Sequence, residues 1–463
     1  MSAPDIILLD PHEQSIRSLL SQGAGSERSA YMLFGVAEIE TDPWTQAQRT
    51  RLVSHQFRAV DDDELVSASG RHVTWQTDGF MRLLSTAKTE GLVPALVHTH
   101  PVGEARFSEQ DDRNETELAR TALLKGVPGL ISIVMAGNGD LAARIWTQKD
   151  RAVDISRILH SGPRLRIFGL EGAPETFLDR QVRLFGEQAS LQVSAFRCGI
   201  AGGGATGSAL LPLLLRLGVK EAVQFDRDIV DETNLNRLHG ARRSDVEAEM
   251  LKTAIHSRTV SEAELGMTLV TIDAWAGEPA TWDALKACDV IFCCTDDHAG
   301  RMFLNRFARF YGIPVIDVGL AMQRRSDTAC DLFARVSTLV PGHPCLLCGG
   351  YIDARRAREE ALKRTDPVGY EKLKAEAYVL GEGNPSPAVV TFTTEASAMA
   401  VNEWLAGIAG FAGQGGMLPT RMRRFHARDE RRPLVVSRGE CSCCALPETL
   451  GRADIKPFLD SVI

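Results

Sequence analysis

The sequence predicts an α/β protein in which an α+β domain comes first and a domain with a parallel sheet follows. Its 463 residues are too many for one typical core, so at least two domains are expected. A strand pattern, a glycine turn, a helical run and a second strand pattern follow one another over residues 198–225, the order of a parallel βαβ unit. Turn-rich stretches at 161–163 and 169–174 precede that unit. We therefore expect domains at 1–155 and 179–463, joined by a linker at 156–178.

Composition and charge argue against several classes of protein. Apolar residues make up 44% of the chain, which suits globular α/β domains. A net charge of −8 argues against a general nucleic-acid binder, and the short basic clusters at 421–424 and 431–432 are more typical of solvated surface than of a partner site. Neither a signal peptide nor a run of ~20 apolar residues is visible. We expect a cytoplasmic protein that binds neither nucleic acid nor membrane, in which paired cysteines bind metal rather than form disulfides.

The first domain alternates helical and extended patterns. The predicted elements are a helix at Pro11–Leu20, a strand at Ala30–Val36, a helix at Phe80–Glu90, a strand at Val93–Val97 and two closing strands at Leu130–Met135 and Leu141–Trp146.

A candidate metal site follows the fourth of these elements. His98 and His100 are two residues apart at the end of a strand, so their side chains point to the same side, and Ser108 and Asp111 come soon after. Two imidazoles, one carboxylate and an open position are typical of a catalytic zinc site, where bound water becomes a nucleophile near neutral pH. Ser108 would then stabilise an oxyanion, and a nearby glutamate would move the proton. The alternative is that both histidines are ordinary polar residues at a strand end.

This pattern resembles the JAMM (also called JAB or MPN) metalloprotease family over roughly residues 8–150. Members cleave peptide or isopeptide bonds after the C-termini of ubiquitin-like proteins. The resemblance implies a general-base glutamate just before the first core strand. Glu27 is the choice that fits, and Glu38 and Glu40 compete with it.

The second domain opens on a glycine motif. Gly202, Gly204 and Gly207 follow a strand-like run at 191–200 and lead into a helical run at 208–217. The next strand, 222–225, ends at Asp226. Glycines let the backbone approach phosphate, the helix N-terminus offers free N–H groups, and the acid can accept hydrogen bonds from ribose. Together they predict a Rossmann-like nucleotide site, although dehydrogenases share this turn.

The residues after Asp226 favour phosphate cleavage over hydride transfer. They are Asp228, Asn234, Asn236, Arg237 and Lys252. A cation cluster is needed where phosphate charge develops, and a dehydrogenase has no use for one. The apolar run 290–294 predicts a parallel strand buried on both faces, so Asp296 lies at the sheet edge where ligands bind. A solvated loop or a non-catalytic scaffold is the alternative.

These motifs together resemble the ThiF/MoeB and ubiquitin-activating enzyme superfamily over roughly residues 176–450. The resemblance implies ATP- and magnesium-dependent adenylation of the C-terminus of a ubiquitin-like protein. It assigns Asp226 to the ribose, Asn234, Arg237 and Lys252 to the phosphates, and Asp296 to magnesium. Arg180, on a helix predicted at 176–186, would reach the nucleotide of a partner subunit, which implies a homodimer.

Cys345, Cys348, Cys441 and Cys444 form two Cys-x-x-Cys pairs that predict a closed structural zinc site. Cys443 is a possible substitute for Cys441 or Cys444, and redox-active or unpaired cysteines are the alternative. Many members of the resembled family carry a thioester-forming cysteine after the first pair, but residues 349–383 contain none. Cys330 is the remaining candidate, and its apolar neighbours favour a packed strand instead. A crossing loop is expected at 376–387, followed by an apolar helix up to residue 405.

The leading hypothesis is a bifunctional enzyme of a ubiquitin-like conjugation system. The second domain would activate the C-terminus of the ubiquitin-like protein, and the first would process or deconjugate it, with a conjugating enzyme as a possible further partner. The alternative is activation of a sulfur-carrier protein for cofactor or amino-acid biosynthesis, with no transfer to target proteins.

Overall fold

A computed structural model describes residues 4–23, 25–61, 65–68, 73–75, 77–325, 330–375, 388–413 and 415–454. The predicted crossing loop at 376–387 lies outside these residues. The described chain forms two large sheets, one of nine strands and one of eight, with helices packed on them. The prediction of an α/β protein with an α+β first domain and a Rossmann-like second domain is confirmed.

The first sheet is mixed and carries the first domain. Its elements are β1 (Asp5–Leu9), α1 (Asp10–Gln22), β2 (Ser29–Ile39), β3 (Arg49–Ala59), β4 (Leu65–Ala68), β5 (Val73–Trp75), α2 (Thr77–Glu90), β6 (Val93–His100), α3 (Glu109–Lys125), β7 (Leu130–Ala136), β8 (Leu141–Gln148), β9 (Arg151–Ile155), β10 (Ile158–Ser161) and β11 (Leu165–Phe168). The strand order is β11-β10-β1-β3-β2-β6-β7-β8-β9, and β4 pairs only with β5. All six predicted elements of this domain are present.

The second sheet is parallel at one side and antiparallel at the other. Its elements are α4 (Asp179–Phe185), α5 (Glu187–Ala195), β12 (Arg197–Ala201), α6 (Ala205–Arg216), β13 (Glu221–Phe225), α7 (Arg243–Glu247), α8 (Lys252–Ala263), β14 (Thr268–Ile272), α9 (Trp282–Ala287), β15 (Val290–Cys293), α10 (His298–Tyr311), β16 (Val315–Arg324), β17 (Cys330–Leu339), α11 (Ala354–Thr365), α12 (Pro367–Ala375), α13 (Val390–Ala409), β18 (Thr420–Arg424) and β19 (Asp429–Arg431). In the order β14-β13-β12-β15-β16-β17-β18-β19, the first five strands form the parallel half of the sheet.

One strand prediction was wrong at its start. The run 191–200 was expected to be extended throughout, but α5 continues to Ala195 and β12 begins only at Arg197. Val193, near the end of α5, faces the core and is 1% exposed. A short apolar run is compatible with a buried helix as well as with a strand, which explains the error. The side chain of Gln192 also bonds both backbone groups of Ile167 at 2.8 Å, which holds α5 against β11.

The segment expected to be a linker contains two strands. Within 156–178, β10 pairs with β1 in parallel and β11 pairs with β10, so both complete the first sheet. Their buried side chains Leu159, Leu165 and Ile167 belong to a core cluster that also includes the strands of the second sheet. The two domains therefore share one apolar core, and the longest stretch of this segment outside the named elements is 169–178.

A buried ionic cluster lies in the same interface. The Asp289 carboxylate, 0% exposed, accepts hydrogen bonds from Arg51 and Arg157 of the first domain and from the backbone N–H of Arg197 at 2.9 Å. The tail beyond β19 also crosses between the domains, where Ala453 forms a bridge with Val36 of β2.

Among the described residues, none of the helices combines the length and the apolar composition that crossing a membrane requires.

Candidate functional site

The metal-ligand candidates of the first domain lie together. His98 and His100 end β6, and Asp111 lies in the first turn of α3. The Nε2 atoms of the two histidines are 3.1 Å apart, and Asp111 is 3.4 Å from His98 and 3.8 Å from His100. One ligand atom from each residue falls within 4.8 Å of the others, which is compact enough for all three to bind a single ion.

Ser108 holds the aspartate in place. It is the N-cap residue of α3: its Oγ accepts a hydrogen bond from Asp111 N–H, and its own N–H and Oγ each donate to Asp111 Oδ2 at 2.7 Å. This capping box satisfies free N–H groups of the helix and orients the carboxylate. Ser108 is exposed, so its hydroxyl also faces solvent at the site.

Glu27 lies just before β2, beside His100. Its Oε1 is 3.7 Å from His100 Nε2, and the residue is only 3% exposed. Burial raises the pKa of Glu27 to about 7, because the charged form loses water. The competing glutamates differ: Glu38 is exposed at the other end of β2, where it accepts a hydrogen bond from Thr50, and Glu40 is also exposed.

The charges and hydrogen bonds within the cluster shift the pKa values of its members. Burial alone would lower the pKa of His98, but the hydrogen bond and charge of Asp111, together with the charges of Glu115 and Glu27, outweigh it and raise the pKa. The pKa of Asp111 is lowered, because its hydrogen bonds with His98 and Ser108 outweigh the effect of burial.

A second site is a cavity of about 440 Å³ at the C-terminal edge of the parallel strands. Most of the residues predicted to bind nucleotide line it: Gly202, Gly204, Asp226, Asp228, Asn234, Arg237, Lys252 and Asp296. The structure thus brings together residues that are up to 94 positions apart, as the topology of a doubly wound sheet requires.

Each of the three motif glycines is needed for a different structural reason. Gly202 has φ +98°, a left-handed conformation that glycine adopts without strain. A Cβ on Gly207 would lie 2.0 Å from the Gly202 oxygen, so this position serves the close approach of α6 to β12 and does not line the cavity. A Cβ on Gly204 would meet no atom within 4 Å, so the backbone there is open to a ligand.

Asp226 and two cations, Arg237 and Lys252, line the same cavity. Asp226 accepts hydrogen bonds from the backbone N–H of Gly203 at 2.6 Å and of Asp228 at 2.8 Å. Burial raises its pKa, and the Lys252 ammonium acts against that rise. Lys252 Nζ is 2.7 Å from the Asp228 carboxylate. Arg237 donates to the Asn236 side chain at 3.0 Å.

Several residues that line the cavity were not predicted from the sequence as site residues, among them Trp275, Asp297, Arg301 and Arg364. The Arg364 guanidinium lies 3.6 Å over the Trp275 ring, and Trp275 Nε1 donates to Asp297 at 3.0 Å. Asp297 directly follows Asp296 and is the N-cap of α10. Aspartate is a favoured N-cap residue, so the sequence could have indicated this position. Arg364 comes from α11, and no local motif marks it.

Arg180 lies apart from the cavity. It is an exposed residue of α4 and is absent from the lining. Any role at a nucleotide would therefore be at a site other than the one in its own chain.

The four predicted cysteine ligands form one cluster. Their Sγ atoms lie within 4.8 Å of one another, with 3.5 Å between Cys345 and Cys441 and between Cys348 and Cys444. Burial would raise the pKa of Cys441, but the backbone N–H groups of Cys443 and Cys444 outweigh it and lower the pKa to about 7. Four thiols in this arrangement can hold a structural zinc ion.

The other cysteines lie elsewhere. Cys443 Sγ accepts a hydrogen bond from the Asn305 side chain at 3.1 Å and is outside the four-residue group. Cys288, Cys293 and Cys294 are buried packing residues, as expected. Cys330 is exposed at the start of β17.

Arginines of the basic cluster at 421–424 pair with carboxylates. Arg421 pairs with Glu403 and Glu430 at 2.7 Å, and Arg423 pairs with Glu395 at 3.0 Å. This favours ordinary surface over a nucleic-acid face.

Comparisons with known proteins match two protein families to different parts of the chain. A ThiF family model matches residues 178–443, and a model of prokaryotic homologs of the JAB domain matches residues 9–149. The chain is 28% identical over 147 residues to a ubiquitin-activating enzyme E1-like protein of Saccharomyces cerevisiae, covering 30% of this chain and 22% of that protein. It is 28% identical over 155 residues to the sulfur carrier protein ThiS adenylyltransferase of Bacillus subtilis, covering 33% of this chain and 43% of that protein.

The chain therefore spans less than half the length of these two curated relatives. Among solved structures, E. coli MccB with ATP is similar with a TM-score of 0.46 and 14% identity, covering 59% of this chain and 75% of that one.

Proposed function

The chain belongs to the ThiF family and carries a prokaryotic JAB domain at its N-terminus, and on this basis we propose that it is a bifunctional enzyme. Its second domain adenylates the C-terminus of a ubiquitin-like protein with ATP and magnesium. Its first domain is a zinc peptidase that cleaves bonds to the same C-terminus. The protein acts as a homodimer in the cytoplasm, where Arg180 reaches the partner's nucleotide.

The adenylation proposal rests on one observation: a single cavity combines the glycine turn, an acid for ribose and several cations. The Gly204 backbone approaches the phosphates, and Asp226 accepts hydrogen bonds from the ribose. Lys252 and Arg237 neutralise charge as the substrate carboxylate attacks the α-phosphate and pyrophosphate leaves. Asp296 would hold magnesium. Positioning and charge neutralisation are sufficient for this step, so a protein nucleophile is not required.

Pyrophosphate exchange into ATP, dependent on a ubiquitin-like C-terminus, tests this role. We expect Lys252→Ala to lower the exchange rate by about 100-fold or more, as removal of a charge-stabilising group does elsewhere. Lys220→Ala is the matched control, because Lys220 pairs with Glu175 outside the cavity lining. Exchange at the wild-type rate in Lys252→Ala would contradict the assignment.

The peptidase proposal is supported by the compact ligand set and by the buried acid next to it. His98, His100 and Asp111 would hold zinc, which supplies Lewis-acid activation of water when bound. Glu27 Oε1, 3.7 Å from His100, accepts a proton from the attacking water and passes it to the leaving amine. The Ser108 hydroxyl, which donates to Asp111 in this structure, would turn to donate a hydrogen bond to the developing oxyanion.

Cleavage of a C-terminally extended ubiquitin-like substrate tests the peptidase role. We expect Glu27→Gln to retain zinc and adenylation but to lose cleavage by about 100-fold or more, in the range of general acid–base catalysis. Glu38→Gln is the matched control, since Glu38 is exposed and bonded to Thr50. If Glu38→Gln loses cleavage while Glu27→Gln does not, the base is misassigned.

The second candidate function is activation of a sulfur-carrier protein, which the similarity to a ThiS adenylyltransferase favours. The two functions differ in the acceptor of the activated C-terminus. A sulfur carrier ends as a thiocarboxylate, whereas a conjugated protein ends in an amide bond to a target. Mass spectrometry of the product formed in the presence of a sulfide donor or of a conjugating enzyme distinguishes them.

A further inference from the structure

A buried arginine lies behind the histidine and aspartate ligands. Arg144 is on β8 and is 7% exposed. Its Nε donates to Glu115 at 2.8 Å, and its Nη1 donates to Asp112 at 2.5 Å. Both carboxylates belong to α3: Asp112 directly follows Asp111, and Glu115 comes about one turn later. Arg144 therefore binds the first turns of the helix that carries a candidate metal ligand.

Arg144 also reaches a histidine ligand through an aromatic ring. Its guanidinium carbon lies 3.9 Å from the centroid of Phe107, and the Phe107 ring meets His98 edge-on at 6.1 Å. Phe107 directly precedes the N-cap Ser108. Arg144 therefore contacts the chain on both sides of the capping box, and the Phe107 ring lies between Arg144 and His98.

Trp146 makes further contacts with both Glu115 and Arg144. Glu115, 5% exposed, accepts a further hydrogen bond from Trp146 Nε1 at 3.1 Å, and the Arg144 guanidinium also lies 5.1 Å from the Trp146 ring. The arginine thus pairs with two carboxylates and contacts two aromatic rings. Contacts of this kind behind the ligands are what outer residues of metal sites provide.

We propose that Arg144 is a positioning residue for metal binding, which orients Asp111 through α3 and His98 through Phe107. The proposal rests on the zinc assignment made above for the first domain. It extends the site beyond its ligands to a network of Arg144, Glu115, Trp146 and Phe107. A merely structural arginine would contribute to folding but would leave the affinity of the folded site for zinc unchanged.

Competition with a chelator for zinc on the full chain tests the proposal. We expect Arg144→Gln to weaken zinc binding at this site by about 10–100-fold, the range found for outer-shell partners, and Arg144→Lys to restore part of the loss. Zinc at the cysteine cluster and pyrophosphate exchange by the second domain should not change. Arg166→Gln is the matched control, because Arg166 also pairs with a carboxylate, Asp140, and stacks on a ring, Phe168, within the same sheet.

Phe107→Leu keeps the proposal testable if Arg144 variants fail to fold. This change leaves the ion pairs intact and removes only the ring between Arg144 and His98, and we expect about tenfold weaker zinc binding. Unchanged zinc affinity in folded Arg144→Gln or Phe107→Leu overturns the positioning role. A wild-type chain that holds zinc only at its cysteines overturns the zinc assignment itself, which is a different result.

Discussion

Replacing Asp289 by asparagine should test whether the two domains are one cooperative unit. Asp289 precedes β15 and is fully buried, yet two of its three partners, Arg51 and Arg157, belong to the first domain. Arg51 also donates to the backbone oxygen of Lys286 at 2.9 Å. Loss of the Asp289 charge would leave the arginine charges in the interface without their main counterion.

The expected loss is large because the cluster is buried. Breaking a buried ion pair by removing one partner costs about 3–5 kcal/mol. We therefore expect Asp289→Asn to lower the free energy of unfolding by about that amount in urea titration. The control is Asp140→Asn, whose partner Arg166 is about half exposed, as is Asp140 itself. Pairs of that kind contribute about 1 kcal/mol or less.

The pH dependence has a definite sign. Burial opposes ionisation of Asp289, but the arginines outweigh it and hold its pKa below the usual range. A carboxylate with a lowered folded-state pKa stabilises the protein above its unfolded pKa of about 3.9 and loses this effect as the pH falls towards the folded value. Wild-type stability should therefore fall below about pH 4 through this group, and Asp289→Asn should lack that part of the fall.

Two results would refute the reasoning. One is an unfolding midpoint for Asp289→Asn equal to that of Asp140→Asn. The other is a wild-type protein whose two domains unfold in separate transitions, since a shared core and a shared ionic cluster require coupled unfolding.

Two further changes test the second domain. Cys345→Ser should remove one zinc ion per chain and lower the thermal midpoint, because structural zinc contributes directly to folding. Elemental analysis and a melting curve check the two effects. A normal midpoint without zinc would contradict the structural role. Gly207→Ala should abolish ATP binding in calorimetry, because its Cβ would lie 2.0 Å from the Gly202 oxygen and displace the turn. Unchanged affinity would show that the turn can move.

The site residues that sequence alone predicted are those carried by contiguous motifs. His98 and His100 share one strand end, and Gly202 and Gly204 share one turn, so spacing along the chain decides their relative position. Asp226 and Asp296 come from two strands, but the parallel order of the sheet brings both strand ends to one edge. Local pattern and sheet topology were therefore sufficient to predict the shared cavity.

The remaining contacts depend on tertiary packing that leaves no local pattern. Arg364 meets Trp275 across 89 residues, and Arg51 meets Asp289 across 238. The strands β10 and β11 inside the expected linker were missed for the same reason. Turn signals stand at 161–163, but the apolar side chains on either side of them fill a core that only the assembled sheets create.

The α10 helix links the sites that the sequence presents as separate. Its N-cap Asp297 lines the cavity at the C-terminal edge of the parallel strands. Its middle residue Asn305 accepts a hydrogen bond at 2.8 Å from the backbone N–H of Leu346, which lies between the first pair of cysteines.

The C-terminal end of α10 binds the tail that follows the second cysteine pair. Gly451 and Ala453 donate backbone hydrogen bonds to α10 at 3.0 and 2.8 Å. Asp454 N–H then donates to Val36 of β2 at 3.0 Å. A zinc ion at the cysteines would fix the start of this tail, and the tail holds the first sheet against α10. Metal at the cysteine cluster should therefore stabilise the junction of the two domains as well as the domain that contains it.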